Sequence, residues 1–340
     1  MLLEAAADAS NCTESPIRVM TERPNPDRTS FQGLRVHSDE VRESIVEHAG
    51  YRILIKTCGK AAGPHAVLLP GMGATAVALA PQVRALRALG YTTHVVELPG
   101  FGLTPALRKA DARFTQLADL VLHVVGELGI ERALYLGHSL GGGIALQIAL
   151  RRPAAVAGLV LVAPAGLGRS MLWAYKLYCV PLVGRALLRP YDRGTGAMMR
   201  RFLIGRARRG DEHFISHLLR RDRRSPATTR SIRAIVWANQ PARWRRIFLL
   251  PLPGGEQLGY TLRGKVAALR DIPTLVLWGT DDRVFSVRDA EFFRRANPSA
   301  EVHVARGIGH MLPLEAPGWT NEHISWFCAL HLRPLERPAA

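Results

Sequence analysis

A serine with glycines two positions before and two after it, in Gly137-His138-Ser139-Leu140-Gly141, constrains the fold of this chain more than any other feature. The apolar run 132–136 precedes this turn and an alanine-rich helical pattern, 142–151, follows it. A tight turn between strand and helix strains the serine backbone and holds its hydroxyl clear of the chain, where a base can reach it. The helix also brings unpaired N–H groups to the place where negative charge would develop. The arrangement predicts a nucleophilic Ser139; the alternative is a glycine-bounded turn with an idle serine.

Eight apolar segments of strand length predict a single large sheet. They are 43–48, 51–57, 65–69, 93–98, 132–136, 156–162, 274–278 and 300–305. The first two resemble a hairpin, whereas the later ones alternate with helical patterns such as 76–89 and 114–128. Such alternation is typical of a parallel sheet covered by helices on both faces, and ligands bind at the carboxyl edge of such sheets. The sequence therefore predicts an α/β fold with a mostly parallel eight-stranded sheet.

The alternation stops between residues 167 and 261, where helical patterns without strands predict an inserted helical cap. The core is then divided into 43–166 and 262–335, and the polar, proline-containing residues 1–42 form an irregular arm. A chain of 340 residues is often one such domain with an insertion.

The net charge of +17 is concentrated in the predicted cap. Residues 165–270 contain 22 of the 45 lysine and arginine residues and five of the 28 acidic residues, an excess equal to the net charge of the whole chain. Beside the cap's apolar stretches, this charge predicts peripheral contact with an anionic membrane or a phosphorylated partner; the alternative is a solvated helical face. Nucleic-acid binding is not expected, because no recognised module accompanies the charge.

The cysteines and the N-terminus indicate the compartment. Cys12, Cys58, Cys179 and Cys328 are far apart and have neither disulfide-framework nor metal-ligand spacing. The N-terminus lacks a basic segment before an apolar core, and no uninterrupted apolar run is long enough to span a bilayer. We expect a cytoplasmic protein, peripherally membrane-associated if the cap binds lipid, without a metal.

A serine nucleophile needs a base, and the base needs an acid to orient it, both from loops at the carboxyl edge of the sheet. His310, in the turn after the last strand, is the best of the twelve histidines for the base. Asp282, after the preceding strand, is the best acid, with its neighbour Asp281 as the alternative. His138 is less suited as the base, because a residue beside the nucleophile on a tight turn usually points elsewhere.

Three motifs resemble the α/β-hydrolase superfamily, in particular its capped esterase-like and lipase-like branch with a serine nucleophile. They are Gly137-His-Ser-Leu-Gly-Gly142, Trp278-Gly-Thr-Asp-Asp282 and Gly309-His310-Met-Leu-Pro-Leu-Glu315. The order serine, aspartate, histidine is the order expected for that fold, and the resemblance covers residues 43–333. In that family the acid is usually the third residue after the strand-end glycine, which selects Asp282.

The resemblance also implies an oxyanion hole made by backbone N–H groups of Leu140 and Met72. Many relatives have His-Gly where this chain has Pro70-Gly71, a difference that leaves the Met72 amide in place. We predict that the substrate pocket is lined by four large side chains, although cap residues of this kind can equally pack the cap onto the core. These four are Met72, Met311, Trp173 and Trp237.

The mechanism implied is acyl transfer through an acyl-enzyme, without a metal or organic cofactor. We predict a hydrolase of the carboxylesterase and lipase-like type that cleaves a small, apolar carboxylic ester. Three alternatives remain open: a carbon–carbon bond hydrolase for ring-fission products, a non-hydrolytic activity on the same scaffold, and a binding module whose triad is unused. Relatives that cleave carbon–carbon bonds commonly have an aromatic residue after the catalytic histidine, where this chain has Met311.

Overall fold

The computed structural model describes residues 41–59, 63–102, 104–167, 203–206, 226–238 and 262–332. The strands are β1 Val41–His48, β2 Tyr51–Cys58, β3 His65–Leu69, β4 Thr92–Glu97, β5 Ala133–His138, β6 Val156–Val162, β7 Thr274–Gly279 and β8 Glu301–Ala305. The α-helices are α1 Ala80–Ala88, α2 Phe114–Glu127, α3 Leu140–Arg151, α4 Pro226–Ala238, α5 Arg288–Ala296, α6 Leu312–Glu315 and α7 Pro317–His331.

The strands form one open sheet in the order β1-β2-β4-β3-β5-β6-β7-β8. Strands β1 and β2 pair antiparallel, as do β2 and β4, and the other pairs are parallel. The predicted mostly parallel eight-stranded sheet is confirmed. From β3 the chain first goes to β4 on one side and then to β5 on the other, so the strand order reverses between β3 and β5. The reversal opens a crevice at the carboxyl ends of these two strands, where ligands bind in such sheets.

Alternate residues of the central strands face two separate apolar cores. Leu69 and Tyr135 belong to the core that contains residues of α2 and α3. Leu68 and Leu136 belong to the opposite core, which contains residues of α1 and α7. Because successive side chains of a strand point to opposite faces, a strand buried on both sides is apolar at every position. The predicted covering of both faces by helices is confirmed.

Two boundaries differ from the prediction. The region predicted as one helix over 76–89 is a 3₁₀ turn, Ala76–Leu79, followed by α1. Pro81 explains the break, because proline has no N–H to donate and so favours the first turn of an α-helix. The first strand begins at Val41, two residues before the predicted core.

Most of the predicted cap lies outside the described residues, including the arginine clusters at 200–201, 208–209 and 220–224. The cap division and its contact with a membrane or partner therefore stay predictions. Helix α4 packs near the loop after β4, where the Ser231 hydroxyl accepts a hydrogen bond from the Leu107 N–H at 2.8 Å. Within the ranges described, no helix is both long and apolar enough to cross a bilayer.

Alanine substitutions at two helical glycines should have opposite effects on stability. A Cβ on Gly141 would lie 2.0 Å from the Leu69 carbonyl oxygen, because α3 packs directly on the backbone of β3. Gly141→Ala should lower the free energy of unfolding by about 3 kcal/mol or more, in the range of severe core overpacking. A Cβ on Gly126 in α2 would meet no atom within 4 Å. Gly126→Ala should therefore stabilise the protein by about 0.5–1 kcal/mol, because alanine loses less backbone entropy on folding.

Denaturant unfolding of the two variants and the wild-type protein measures both effects. The pair is matched, since each change adds one methyl group to a helix. A Gly141→Ala protein as stable as the wild type would show that α3 does not approach β3 as closely as the structure has it.

Candidate active site

Ser139 occupies a strained turn between β5 and α3. Its φ and ψ angles are 53° and −114°, in a region that residues with a side chain rarely adopt. The surrounding backbone holds this conformation in place. The Ser139 N–H donates to the Val162 carbonyl at 2.9 Å, and the Ser139 carbonyl accepts from the N–H groups of Gly143 and Ala165. Such strain persists only where neighbouring bonds over-determine it, and it directs the serine side chain out of the turn.

The structure brings Ser139, His310 and Asp282 together in one chain of hydrogen bonds. The Ser139 Oγ lies 2.9 Å from the His310 Nε2, and the His310 Nδ1 lies 2.8 Å from the Asp282 Oδ2. The other oxygen of Asp282 accepts the N–H groups of Val284 and Phe285 at 2.8 and 2.9 Å. The His310 side chain is only 4% exposed and that of Asp282 is fully buried. A buried acid fixed on one side by backbone amides can orient the imidazole on the other side.

The two alternative residues have other partners. Asp281 accepts hydrogen bonds from the backbone N–H and the guanidinium of Arg206, and these bonds lower the pKa of its carboxyl group. The Nε2 of His138 donates to the carbonyl oxygen of His310 at 2.9 Å. Burial lowers the pKa of His138 to about 3, so its ring is neutral at physiological pH. In this structure neither residue bonds to Ser139 or completes the hydrogen-bond chain.

The two predicted oxyanion donors belong to the residue after the serine and to the loop after β3. Leu140 is the first residue of α3, and the first N–H groups of a helix have no partner within it. Met72 follows Gly71 in the loop after β3, and a Cβ placed on Gly71 would lie 3.4 Å from the Ser139 Cβ. The loop that carries Met72 therefore approaches the serine closely.

The four predicted pocket residues are placed differently. Met72 is partly buried and packs against the core beneath it. Met311 is 3% exposed and belongs to that same core. Trp173 lies outside the described residues, and Trp237 lies on α4, where only its backbone is described. The pocket assignment stays a prediction.

Sequence reasoning assigned no role to Glu315, which is buried beside the histidine loop. Its carboxylate accepts the N–H groups of Gly309 and Met311, the residues on either side of His310. A signal was present in the sequence: an acidic residue directly follows the apolar run Met-Leu-Pro-Leu in the histidine motif. Acidic residues are rarely buried without partners, so an acid in an apolar run marks a hydrogen-bond network.

Comparisons with known proteins agree on the fold. The chain matches the family model of the alpha/beta hydrolase fold over residues 64–317. An uncharacterized protein of Mycobacterium tuberculosis is 28% identical over 274 residues, 77% of this chain and 73% of that protein. A 2-hydroxy-6-oxononadienedioate/2-hydroxy-6-oxononatrienedioate hydrolase of Comamonas testosteroni is 27% identical over 224 residues, 65% of this chain and 71% of that protein. The structure of naproxen esterase from Bacillus subtilis is similar in fold, with a TM-score of 0.62 and 19% identity, covering 84% of this chain and 91% of that one.

Proposed function

The chain belongs to the alpha/beta hydrolase fold family, and we propose that it is a serine hydrolase that cleaves a carboxylic ester of a small, apolar molecule. The observation that carries the proposal is the buried hydrogen-bond chain from Ser139 through His310 to Asp282. Ser139 follows β5, beside the point where the strand order reverses, and ligands bind there in such sheets, which supports a role in catalysis. The likeness in fold to an esterase is consistent with the ester class.

In the proposed mechanism, the His310 Nε2 takes the Ser139 proton as the serine oxygen attacks the ester carbonyl carbon. The carbonyl oxygen becomes an oxyanion that accepts hydrogen bonds from the Leu140 and Met72 amides, and each such donor is worth about 10²- to 10³-fold in rate. The imidazolium then gives its proton to the leaving alcohol. His310 next deprotonates a water molecule, which attacks the acyl-enzyme, and Ser139 recovers its proton. Asp282 holds the Nδ1–H throughout and stabilises the imidazolium.

An apolar substrate fits the surroundings of the serine. Met72 extends the main core at the loop beside Ser139 and is only partly buried, so its side chain can contact an acyl or alcohol group. We propose that Met72, Met311, Trp173 and Trp237 line the pocket, with the last two contributed by the cap. Burying apolar substrate surface there would stabilise binding by about 25 cal/mol per Å².

A fluorophosphonate probe combined with a series of p-nitrophenyl esters from acetate to palmitate tests the proposal. We expect the probe to attach to Ser139, and mass spectrometry of the digested protein identifies the labelled residue. The fraction of ester hydrolysis lost should equal the fraction of protein that is labelled. Denatured protein is the control, because an unactivated serine should not react. A folded protein that takes up no probe would contradict a serine hydrolase and favour a binding module.

A second candidate is hydrolysis of a carbon–carbon bond, favoured by the Comamonas testosteroni relative. The compound named for that enzyme, 2-hydroxy-6-oxononatrienedioate, is conjugated, so its consumption can be followed by absorbance. Labelling of Ser139 with no hydrolysis of any ester, together with consumption of this compound, would replace the ester proposal.

A further inference from the structure

The buried carboxylate of Glu315 connects three backbone amides around the histidine loop. Its Oε1 accepts the Met311 N–H at 2.9 Å, and its Oε2 accepts the N–H groups of Gly309 at 2.9 Å and of Gly205 at 2.8 Å. Glu315 is 1% exposed, and a buried charge is tolerated only where hydrogen bonds replace its hydration. Two of these amides flank His310, and the third belongs to the segment 203–206, which the chain supplies from the predicted cap.

The backbone of His310 is held on both sides as well. Its N–H donates to the Leu203 carbonyl at 2.8 Å, and its carbonyl accepts the Nε2–H of His138 at 2.9 Å. The side chain of His310 is bonded at both ring nitrogens. Because the backbone of His310 and both ring nitrogens are held, the imidazole cannot compensate for a movement of the loop. A displacement of the loop would therefore change the distance between the His310 Nε2 and the Ser139 Oγ.

Segment 203–206 is packed against this loop backbone to backbone. A Cβ on Gly205 would lie 2.2 Å from the Gly307 carbonyl oxygen and 2.5 Å from the Gly309 nitrogen. The next residue, Arg206, bonds to Asp281, the neighbour of the proposed acid. One short segment thus contacts both the histidine loop and the acid loop.

We propose that Glu315 is a positioning residue, which fixes His310 in line with Ser139 by joining the histidine loop and segment 203–206 through one carboxylate. The proposal rests on the proposed function, since it assigns His310 the role of the base. It implies that any movement of segment 203–206 is transmitted to the base and changes the rate of the chemical step.

The ionised form of Glu315 is the form that fits this site. Burial raises the pKa of its carboxyl group, and the hydrogen bonds from Gly205, Gly309 and Met311 oppose that rise. A carboxylate has acceptors on both oxygens, whereas a glutamine presents a donor on one side. In Glu315→Gln, an NH₂ group must therefore face at least one backbone N–H, which pushes the histidine loop or segment 203–206 away.

The test measures ester hydrolysis by Glu315→Gln, with kcat expressed per serine titrated by the fluorophosphonate. We expect kcat to fall about 10- to 100-fold, as for a displacement of about 1 Å at a catalytic group, with KM within about twofold of wild type. The rate constant for labelling should fall by the same factor. Glu322→Gln is the matched control, because Glu322 is exposed on α7, and its kcat should equal that of wild type.

A second variant keeps the proposal testable if Glu315→Gln does not fold. Gly205→Ala leaves the carboxylate in place but forces segment 203–206 away from Gly307, and it should reproduce the loss in kcat with KM retained. Wild-type kcat per titrated serine in either folded variant, or a loss confined to KM, would overturn the proposal. Failure of the proposed function itself would be seen separately, as a wild-type protein that neither takes up the probe nor hydrolyses esters.

Discussion

Ser139→Ala should lower kcat for ester hydrolysis about 10⁶-fold and abolish labelling by the fluorophosphonate. In the proposed mechanism the Ser139 oxygen accepts the acyl group, and the Nε2 of the buried His310 lies 2.9 Å from it. In the alanine variant, only transition-state stabilisation by the oxyanion donors and substrate binding remain, which typically leaves about 10³- to 10⁴-fold acceleration over water.

The Ser139→Ala variant should retain the fold, so the loss can be assigned to chemistry. The backbone bonds from Ser139 to Val162, Gly143 and Ala165 do not involve the side chain. Alanine and serine both carry a Cβ, so the cost of the φ angle of 53° is unchanged. The thermal unfolding midpoint should stay close to that of wild type. A folded variant that still hydrolyses the esters at a tenth of the wild-type rate would mean that another group is the nucleophile.

The sheet and the elbow could be predicted because their causes are local in the sequence. Strands buried on both faces are apolar at every position, as in β6, and the elbow requires small residues at fixed distances from Ser139. The structure gives a further reason for glycine in the elbow. A Cβ on Gly137 would lie 2.4 Å from the Gly141 carbonyl oxygen, so the close approach of the backbone, as well as space for the serine, requires glycine there.

Residue type and spacing left Asp281 as an alternative to Asp282. Both acids follow β7 in one turn; the position after the strand favoured Asp282, and the resemblance to a family then selected it. In the structure their side chains have different partners, since Asp281 bonds to Arg206 and Asp282 bonds to His310. Arg206 is 75 residues away in the chain, and no periodic pattern predicts a contact at that distance.

The role inferred for Glu315 is absent from the sequence for the same reason. Gly205 and Glu315 are separated by 110 residues, and their contact depends on how the segment after β6 returns to the sheet edge. The sequence showed an acid in an apolar run and could not show which amides it would meet. The topology of a parallel sheet predicts that strand-end loops such as those of Ser139 and His310 meet, whereas the approach of segment 203–206 follows from no such rule.

Asp282→Asn should lower kcat about 10⁴-fold while leaving the protein folded. The amides of Val284 and Phe285 bond to one oxygen of Asp282, so an asparagine will keep its carbonyl oxygen there. Its NH₂ group then faces the His310 Nδ1, which must act as an acceptor. The imidazole proton moves to Nε2, the atom that faces Ser139, and the ring can no longer take the serine proton.

Asp281→Asn is the matched control for this prediction, because it makes the same chemical change one residue away. It weakens an ion pair with Arg206, whose side chain is 71% exposed while that of Asp281 is 8% exposed. Ion pairs with a solvent-exposed partner contribute about 1 kcal/mol, so we expect kcat to fall by no more than about fivefold. Both variants are compared by kcat and by unfolding midpoint. Equal losses of kcat would contradict the assignment, since a tautomer effect requires direct contact with His310, whereas a general disturbance of the acid loop would affect both variants alike.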